Sequence, residues 1–321
     1  MKVLVTGASG MLGRSTARAL IARGDEVTVL QRRPAGLPGA EVLGDVAHPD
    51  IVARAVRGQD AVLHLAAKVD VIGPWAEYQQ ANVEGTRAVI AACRDHGVRR
   101  LVHVSSPSVA HAGTSLAGIG AEPADPDRAR GHYARSKAIA EVDALAADSP
   151  ALAVLAVRPH LVWGPGDTQL VERIVSRAAA GRLPLIGSGA ALIDTTYTDN
   201  AVDALLAAVD ACGPVHGEAL VVSNGEPRPV AEVLARLCRA AGVPGPRGRV
   251  PYAAARVAGA GIEAAWTVLR RRDTPPLTRF LAEQLATAHW FDQRRTREAL
   301  CWIPRVSLAA GFAALARSYE R

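Results

Sequence analysis

The sequence has few of the features that mark secreted, membrane-spanning or nucleic-acid-binding proteins. Its four cysteines are far apart and show no Cys-x-x-Cys spacing, which predicts buried thiols in a reducing compartment rather than disulfides or a metal site. No uncharged apolar run reaches the roughly 18 residues that a membrane-spanning helix needs. The net charge is +6, but the basic residues are scattered, so we expect no nucleic-acid partner. The cysteines are Cys93, Cys212, Cys238 and Cys301.

Internal repeats and low-complexity linkers are also missing from the sequence. Apolar residues make up 49% of the chain and charged residues 21%, a composition typical of an ordered globular protein. A length of 321 residues predicts one large domain or two interlocked ones. Because residues 1–6 already have the pattern of a strand, we expect no signal peptide and a cytoplasmic protein.

Short apolar strands alternate with helices as far as about residue 160. Near-continuous apolar strands of this kind, at 3–6, 61–65 and 101–104 for example, predict a parallel sheet covered on both faces. After residue 167 helices predominate, and only one strand, at 219–222, is expected to return to the sheet. We therefore predict an α/β fold with a cofactor-binding domain over 1–165 and a smaller, mainly helical substrate-binding region over 166–321.

A glycine-rich turn joins the first predicted strand to a helix predicted over 11–23. Gly7 follows Thr6 directly, and Gly10 and Gly13 come after it at intervals of three residues. Glycines let the backbone turn tightly and approach a diphosphate, whose charge then lies at the helix N-terminus. With the alternating strands and helices, this turn predicts a Rossmann-type, doubly wound parallel sheet that binds a dinucleotide.

A tyrosine and a lysine stand one helical turn apart in Tyr133-Ala134-Arg135-Ser136-Lys137. At positions i and i+4 they project from one face of a helix. A cation within about 4–6 Å lowers the pKa of a phenol, which is otherwise about 10 and too high for acid–base catalysis near neutrality. Alone, such a pair is more often a solvated helix face. Together with the glycine turn and the hydroxyls of Ser105 and Ser106 at a strand end, it predicts hydride transfer.

These motifs resemble those of the extended short-chain dehydrogenase/reductase family, and the resemblance runs over essentially the whole chain. It implies that Ser106, with Ser108 as the alternative, holds the substrate oxygen and that Tyr133 is the acid–base group. It further implies that Lys137 assists Tyr133 and that Asn82 supports a water-mediated proton path. The matching stretches are Thr6-Gly7-x-x-Gly10-x-x-Gly13, Asn82-Val83-x-Gly85-Thr86, Ser105-Ser106, Tyr133-x-x-x-Lys137 and Arg158-Pro159.

The resemblance also implies a set of cofactor contacts around the glycine turn and at the neighbouring strand ends. Asp45 and Val46 would lie near the adenine, and Lys137 would bind the nicotinamide ribose. The implied contacts are Gly7, Ser9, Gly10, Met11, Leu12, Gly13, Arg32, Arg33, Asp45, Val46, Ala66, Ala67, Lys137, Pro159 and Leu161.

Longer stretches resemble the 3β-hydroxysteroid dehydrogenase-like branch of that family, and most of all its bacterial 2-alkyl-3-oxoalkanoate reductases. This resemblance implies reduction of a long-chain 2-alkyl-3-oxoalkanoic acid, a lipophilic small molecule, in olefin and β-lactone biosynthesis. A homodimer is an expectation at the family level. The loop at 107–131 departs from the pattern and leaves the acyl-chain preference open. The stretches are Ser106-Pro107-Ser108-Val109 and those at 163–167, 223–227, 276–280 and 289–290.

The second predicted strand ends in Leu30-Gln31-Arg32-Arg33, a sequence that bears on the choice of cofactor. Dinucleotide-binding enzymes that use NAD carry an acid at this strand end, where it binds the ribose hydroxyls. Here an amide takes that position, and the two guanidiniums that follow can pair with a 2′-phosphate. Arginines in a loop are also ordinary surface residues. The absent acid and the added arginines together favour NADP(H) over NAD(H).

Two further features leave alternatives open. Lys68, His111 and His160 are candidate partners for a substrate carboxylate, although each is more often an ordinary surface or hydrogen-bonded residue. Residues 252–272 are rich in alanine and valine, contain Trp266 and end in three arginines. They predict either a helix packed on the core or an interfacial helix that meets a membrane or a partner enzyme.

Three other functions are weighed against the reductase. A steroid or sterol dehydrogenase and a nucleotide-sugar epimerase or dehydratase share the motifs but typically use NAD, which Gln31 and its arginines disfavour. The apolar character of the second region also argues against a nucleotide-sugar substrate. A cofactor-binding sensor without activity is disfavoured because Ser106, Tyr133 and Lys137 are all present.

Overall fold

A computed structural model describes residues 1–70, 72–111, 113–269, 271, 273 and 275–320 of the chain. Within this part, the strands are β1 (Lys2–Thr6), β2 (Glu26–Gln31), β3 (Ala40–Leu43), β4 (Ala61–His64), β5 (Arg100–Val104), β6 (Leu116–Ile119), β7 (Ala153–Pro159), β8 (Val162–Trp163), β9 (Leu185–Ile186), β10 (Leu192–Ile193), β11 (Thr196–Tyr197), β12 (Glu218–Val222), β13 (Arg228–Pro229), β14 (Arg249–Val250) and β15 (His289–Phe291).

The helices of the described residues lie between these strands and in the second half of the chain. A π-helical turn (Gln79–Glu84) and a short 3-10 helix (Pro107–Ala110) accompany them. The α-helices are α1 (Met11–Arg23), α2 (Pro49–Val56), α3 (Trp75–Tyr78), α4 (Gly85–Asp95), α5 (Gly131–Ala146), α6 (Val171–Ala179), α7 (Thr198–Ala211), α8 (Val230–Ala240), α9 (Tyr252–Val268), α10 (Arg279–Ala286), α11 (Arg294–Leu300) and α12 (Leu308–Tyr319).

The main sheet has seven parallel strands in the order β12-β7-β5-β4-β1-β2-β3. Because successive side chains of a strand point to opposite faces, Val3 and Val5 pack with α1 and α7, whereas Leu4 packs with α2 and α4 on the other face. Helices thus cover both faces, and the Rossmann-type α/β fold predicted from the sequence is confirmed.

The strand predicted at 219–222 returns to the main sheet as β12, parallel to β7. Helix α7 also packs on this sheet, with Leu205 and Val209 in its core, although both elements follow residue 165. The chain therefore crosses back to the first domain after entering the second region. The division of the chain at residue 165 stays a prediction.

A second sheet corrects the expectation that the region after residue 167 holds a single strand. Its order is β13-β10-β15-β6, and β6 comes from the loop at 107–131. Two further pairs join β11 to β8 and β14 to β9. The sequence did not predict these strands because two to four residues are too few to show an alternating pattern.

The cysteine prediction holds for three of the four thiols. Cys93, Cys212 and Cys238 are buried and unbonded to one another, but Cys301 is exposed, so its predicted burial is wrong. Cys301 ends α11 in the left-handed backbone conformation, with φ of 46°. In the described part of the chain, no helix combines the length and apolar character needed to cross a membrane.

Candidate active site

The glycine turn after β1 is built so that only glycines fit at two of its positions. Gly7 has a φ of 79°, and a Cβ on it would lie 2.8 Å from the Ala66 backbone. A Cβ on Gly13 would lie 2.4 Å from the Gly7 carbonyl oxygen. Gly10 precedes α1 without a side-chain cap, and a Cβ there would meet only the Gly7 oxygen, at 3.7 Å. The uncapped helix N-terminus beside this open turn fits a dinucleotide diphosphate.

The other predicted cofactor residues lie at the same edge of the main sheet, because each follows the carboxyl end of a parallel strand. Ser9 is exposed, while Met11 and Leu12 are half-buried at the start of α1. Ala66 and Ala67 follow β4, and the Ala66 amide donates a 3.0 Å hydrogen bond to Thr6 Oγ1. The sequence-predicted residues thus lie at one edge of the main sheet.

Two of these strand ends show further local features. Asp45 follows β3 and accepts a 3.0 Å hydrogen bond from the Ala47 amide, while Val46 is buried against Gly85. Pro159 ends β7, and Leu161 has a φ of 43°. This left-handed conformation is uncommon for a side chain of this type and occurs where surrounding structure imposes it, often beside functional sites.

An acid of the neighbouring strand β3, Glu41, lies beside the end of β2, and sequence reasoning missed it. Gln31 is buried, and its amide nitrogen donates to Glu41 Oε1, which also accepts a 2.7 Å hydrogen bond from the Ala35 amide. Glu41 is far from the usual position of the acid in sequence. Only the parallel pairing of β2 with β3 brings it here, so no motif could have found it. Arg32 and Arg33 are exposed beside it.

The predicted acid–base groups meet between β5 and α5. The Ser106 hydroxyl lies near enough to the half-buried side chain of Tyr133 to oppose the rise of its pKa. Ser106 Oγ also accepts hydrogen bonds from the Ser108 amide, at 3.3 Å, and from the Ser108 hydroxyl, at 3.0 Å. Ser106 is therefore the serine that lies against Tyr133, and Ser108 lies behind it.

Lys137 is buried beneath this pair. Its Nζ donates a 2.7 Å hydrogen bond to the Val104 carbonyl oxygen and lies 3.4 Å from His103 Nε2. Burial lowers the pKa of Lys137 to about 8, against the opposing effect of Glu141. Burial also raises the pKa of Tyr133, which the neighbouring Ser106 hydroxyl opposes. The lowering of the tyrosine pKa expected from Lys137 is not seen in this structure, where the ammonium is directed to the Val104 carbonyl.

Asn82 lies in the π-helical turn and joins α5 to the loop after β4. Its Oδ1 accepts a 2.6 Å hydrogen bond from the Lys68 amide. Its Nδ2 donates to the Lys68 carbonyl oxygen at 3.1 Å and to Ser136 Oγ at 2.8 Å. A π turn adds one residue to a helix and is frequent at functional sites. Asn82 therefore contacts the neighbour of Lys137 along α5.

A buried ion pair fixes the catalytic helix to the sheet. Arg158 of β7 donates from Nε to Glu141 Oε2 at 2.8 Å and also from Nη2 to Glu141 Oε1, with both side chains almost fully buried. Arg158 Nη1 donates to the Glu122 carbonyl oxygen at 2.7 Å. The motif containing Arg158 was evident from sequence, but its partner on α5 was not.

The three candidates for a substrate carboxylate have different surroundings. Lys68 Nζ pairs with Asp70 at 2.6 Å and with Glu77 at 3.1 Å. His160 is buried, and its Nδ1 lies 2.6 Å from the Asp194 carbonyl oxygen. His111 is buried, and neither of its ring nitrogens meets the distance and angle of a hydrogen bond with the described residues, although the Thr114 backbone is near enough to raise its pKa.

The helix predicted over 252–269 is α9, and it has one buried and one exposed face. Ala255 and Gly259 are buried, Gly259 against the backbone at Thr278. Val257 and Val268 are 72% and 80% exposed. Two of the three arginines in the predicted segment, Arg270 and Arg272, lie outside the described residues. The helix thus packs on the protein and also presents an apolar face, so its contact with a membrane or partner enzyme stays a prediction.

Comparison with known proteins agrees with this geometry. Residues 3–223 match the model of the NAD dependent epimerase/dehydratase family. A 2-alkyl-3-oxoalkanoate reductase of Stenotrophomonas maltophilia is 44% identical, with 99% of each chain covered. A 3 beta-hydroxysteroid dehydrogenase/Delta 5-->4-isomerase of Mycobacterium tuberculosis is 30% identical over 94% of this chain and 86% of its own. The structure of MoeE5 in complex with UDP-glucose and NAD superposes with a TM-score of 0.78 at 26% identity, covering 100% of this chain and 99% of that one.

Proposed function

Because the chain belongs to the NAD dependent epimerase/dehydratase family, whose members are extended short-chain dehydrogenases and reductases, we propose that it reduces the 3-ketone of a long-chain 2-alkyl-3-oxoalkanoic acid with NADPH. The product is the 2-alkyl-3-hydroxy acid. That the protein is an NAD(P)-dependent oxidoreductase follows from the family and its relatives. The substrate and the phosphorylated cofactor are the proposed part.

The observation that carries this proposal is that Ser106, at the start of the 3-10 helix, and Tyr133, on α5, lie near each other at the edge of the sheet that holds the glycine turn. A ketone oxygen placed between these two hydroxyls receives hydrogen bonds from both. Such preorganised donors stabilise the negative charge that develops on the oxygen during reduction. When bound, the dinucleotide supplies the hydride that is added to the ketone carbon.

Each catalytic side chain then has one task. Ser106 holds the ketone oxygen, and the Tyr133 phenol transfers its proton to that oxygen as the alcohol forms. The Lys137 ammonium lies one helical turn away and stabilises the phenolate that remains. Asn82, bonded to Ser136 and to the Lys68 backbone, supports the path along which a proton returns to Tyr133 from solvent. The positive charge of Lys137 therefore stabilises the site most after the Tyr133 phenol has given up its proton.

Arg32 and Arg33 support NADPH as the reductant. Both are exposed at the end of β2, where the adenosine ribose of a dinucleotide lies in this fold. The Oε1 atom of Glu41 is occupied by Gln31 and by the Ala35 amide. A guanidinium can bind a 2′-phosphate through two parallel hydrogen bonds, whereas NAD offers it only hydroxyls.

Fluorescence titration of the protein with NADP+ and with NAD+ tests this assignment. We expect Arg32→Ala to weaken NADP+ binding by about 10–100-fold, the effect of one lost charge-assisted hydrogen bond, and to leave NAD+ binding unchanged. Arg57→Ala, an exposed arginine on another surface, serves as the control. Equal losses for both cofactors would contradict a phosphate contact at Arg32.

The reaction itself is best assayed in the oxidative direction, because 3-oxo acids lose CO2 spontaneously. Purified protein is incubated with a long-chain 2-alkyl-3-hydroxy acid, or with a 3β-hydroxysteroid, and with NADP+ or NAD+. Formation of the reduced nicotinamide is followed by absorbance. Turnover of the hydroxy acid with NADP+ is the expected result. Turnover of the steroid with NAD+ alone would keep Ser106, Tyr133 and Lys137 in their roles and overturn the proposed substrate and cofactor.

A further inference from the structure

Three buried histidines lie close together, two of them after strand ends of the main sheet and one in the second sheet. His111 ends the 3-10 helix that begins just after Ser106. His160 follows β7, whose neighbour β5 leads into Ser105 and Ser106. His289 lies in β15, between β10 and β6. Their residue numbers are widely spaced, and only the pairing of β15 with β6 brings them together.

The three imidazoles form a compact cluster with aromatic walls. The ring centroids of His111 and His289 are 4.9 Å apart, and those of His160 and His289 are 6.0 Å apart. Phe280 packs edge-on against His111 at 6.5 Å, and Phe291 against His160 at 5.0 Å. The cluster is therefore a small polar patch within apolar surroundings.

The hydrogen-bonding capacity of this patch is only partly used. Among the described residues, no atom meets the distance and angle of a hydrogen bond with either ring nitrogen of His111 or with His289 Nδ1, although the Thr114 backbone lies near enough to His111 to raise its pKa. A buried polar atom without a partner costs about 1–3 kcal/mol, so proteins seldom keep one unless a ligand or other partner completes it. Three such atoms on adjacent rings indicate a site for a polar group of a ligand.

The surrounding groups favour an anion. His289 Nε2 lies 3.2 Å from the Thr287 hydroxyl, which itself donates to the Glu283 carbonyl oxygen. The Thr287 hydroxyl therefore accepts from His289 Nε2–H, which leaves Nδ1 ready to bind a proton. The positive charge of Arg130 acts on His111. A carboxylate placed here would draw a proton to His289 and receive hydrogen bonds from both rings.

We propose that His111 and His289 bind the carboxylate of the substrate acid, with the aromatic side chains around them facing its alkyl groups. This inference rests on the proposed function and deepens it. In a 3-oxo acid the carboxyl group is separated from the ketone carbon by one carbon atom, so its site must adjoin Ser106. Only the single turn of the 3-10 helix separates His111 from Ser106.

Binding measurements with two ligands test this site on the NADPH-loaded protein, in which neither ligand can react because cofactor and ligand are both already reduced. One ligand is a long-chain 2-alkyl-3-hydroxy acid, and the other is the secondary alcohol of the same chain without the carboxyl group. Calorimetry gives each affinity without turnover. We expect His111→Phe and His289→Phe each to weaken binding of the acid by about 10–100-fold and to leave binding of the alcohol within about threefold.

The matched control is His48→Phe, because His48 is exposed on another surface. His289→Gln is a second variant that keeps a hydrogen-bonding side chain, and alcohol binding shows that each variant is folded. Unchanged acid binding in both phenylalanine variants, or equal losses for acid and alcohol, would overturn the site and leave the proposed reaction standing. A wild-type protein that does not prefer the acid would overturn the proposed substrate and this site with it.

Discussion

Two groups of buried histidines lie near the catalytic helix, and they differ in how their ring nitrogens are used. His64 and His103 pair across β4 and β5 under Lys137, and His111, His160 and His289 lie toward the second sheet. Both nitrogens of His64 are bonded, Nδ1 to the Thr6 hydroxyl at 2.7 Å and Nε2 to the Thr86 hydroxyl at 3.0 Å.

Charge does not distinguish the two groups, because burial keeps both neutral near pH 7. It lowers the pKa of His64 to about 3, assisted by Lys137, and the pKa of His289 to about 3 as well. Hydrogen bonding distinguishes His64 from His111, whereas His103 of the first group also has a ring nitrogen, Nδ1, without a partner among the described residues. His64 connects strands β1 and β4 to the helix that carries Thr86, and His111 makes no such connection between strands. We therefore expect His64 to stabilise the fold and His111 to bind a ligand.

Removal of the acid–base side chain, Tyr133, should have the largest effect on turnover. This effect should not depend on the histidine group that contains His111. We expect Tyr133→Phe to lower turnover by about 10²–10⁴-fold, the usual contribution of a general acid, for the hydroxy acid and for the alcohol lacking a carboxyl group alike. Dinucleotide binding should be retained. Steady-state kinetics with both substrates measure this, with Tyr319→Phe as the surface control. Retained turnover in Tyr133→Phe would exclude the assigned role.

The free energy of unfolding separates the two histidine groups directly. His64→Leu leaves the hydroxyls of Thr6 and Thr86 without their partner, so we expect a loss of about 2–4 kcal/mol. His111→Phe removes two nitrogens that make no hydrogen bond of normal distance and angle with the described residues and places another aromatic ring there, so we expect a change within about 1 kcal/mol. Urea unfolding of both variants measures the difference. Similar losses in the two variants would abolish the distinction.

The free energy of unfolding below pH 6.5 depends on the burial of the histidines in both groups. The pKa of His160 is lowered to about 4 and that of His64 to about 3, from an ordinary value of 6.5. The unfolded chain therefore binds more protons between these values, so stability is full above pH 6.5 and falls as the pH decreases. Each histidine contributes up to about 1.4 kcal/mol per pH unit in that window.

Unfolding at pH 6.5, 5.5 and 4.5 measures this slope. We expect His160→Phe to flatten it by about the contribution of one histidine, while His48→Phe leaves it unchanged because His48 is exposed. An unaltered slope in His160→Phe would show that its imidazole is already protonated in the folded protein.

The smallest expected effect concerns the surface of the second region, where a barely soluble substrate would arrive. Val257 and Val268 are exposed on α9. If this face rests on lipid, wild-type protein should co-float in part with anionic vesicles and the Val257→Ser/Val268→Ser variant should do so less. Ile303→Ser, which removes another exposed apolar side chain, is the control. Equal flotation of all three proteins would remove the membrane interpretation.

The first half of the chain was more predictable than the second for a physical reason. The glycine turn, the Tyr133–Lys137 pair and the boundaries of α1 depend on residues close together in sequence. His289 and Glu41, in contrast, reach their sites only through strand pairing between distant segments. Two members of the histidine cluster, His111 and His160, could be predicted from the sequence because they follow predicted strand ends. His289 could not be predicted.

The exposure of Cys301 and the short strands of the second sheet were missed for a related reason. A two-residue strand has no periodicity of its own, and a single residue's backbone conformation at a helix end depends on what packs beyond it. The homodimer expected from the family stays a prediction.

The extra residue in the π turn at Gln79–Glu84 makes helix length itself part of the site. One residue fewer would restore ordinary helical spacing and rotate the preceding side chains by about 100° relative to α4. Asn82 could then not reach both the Lys68 backbone and Ser136, although every catalytic residue would still be present. We therefore expect that deletion of one residue from the start of this turn abolishes activity, although the sequence motifs of the active site are all retained.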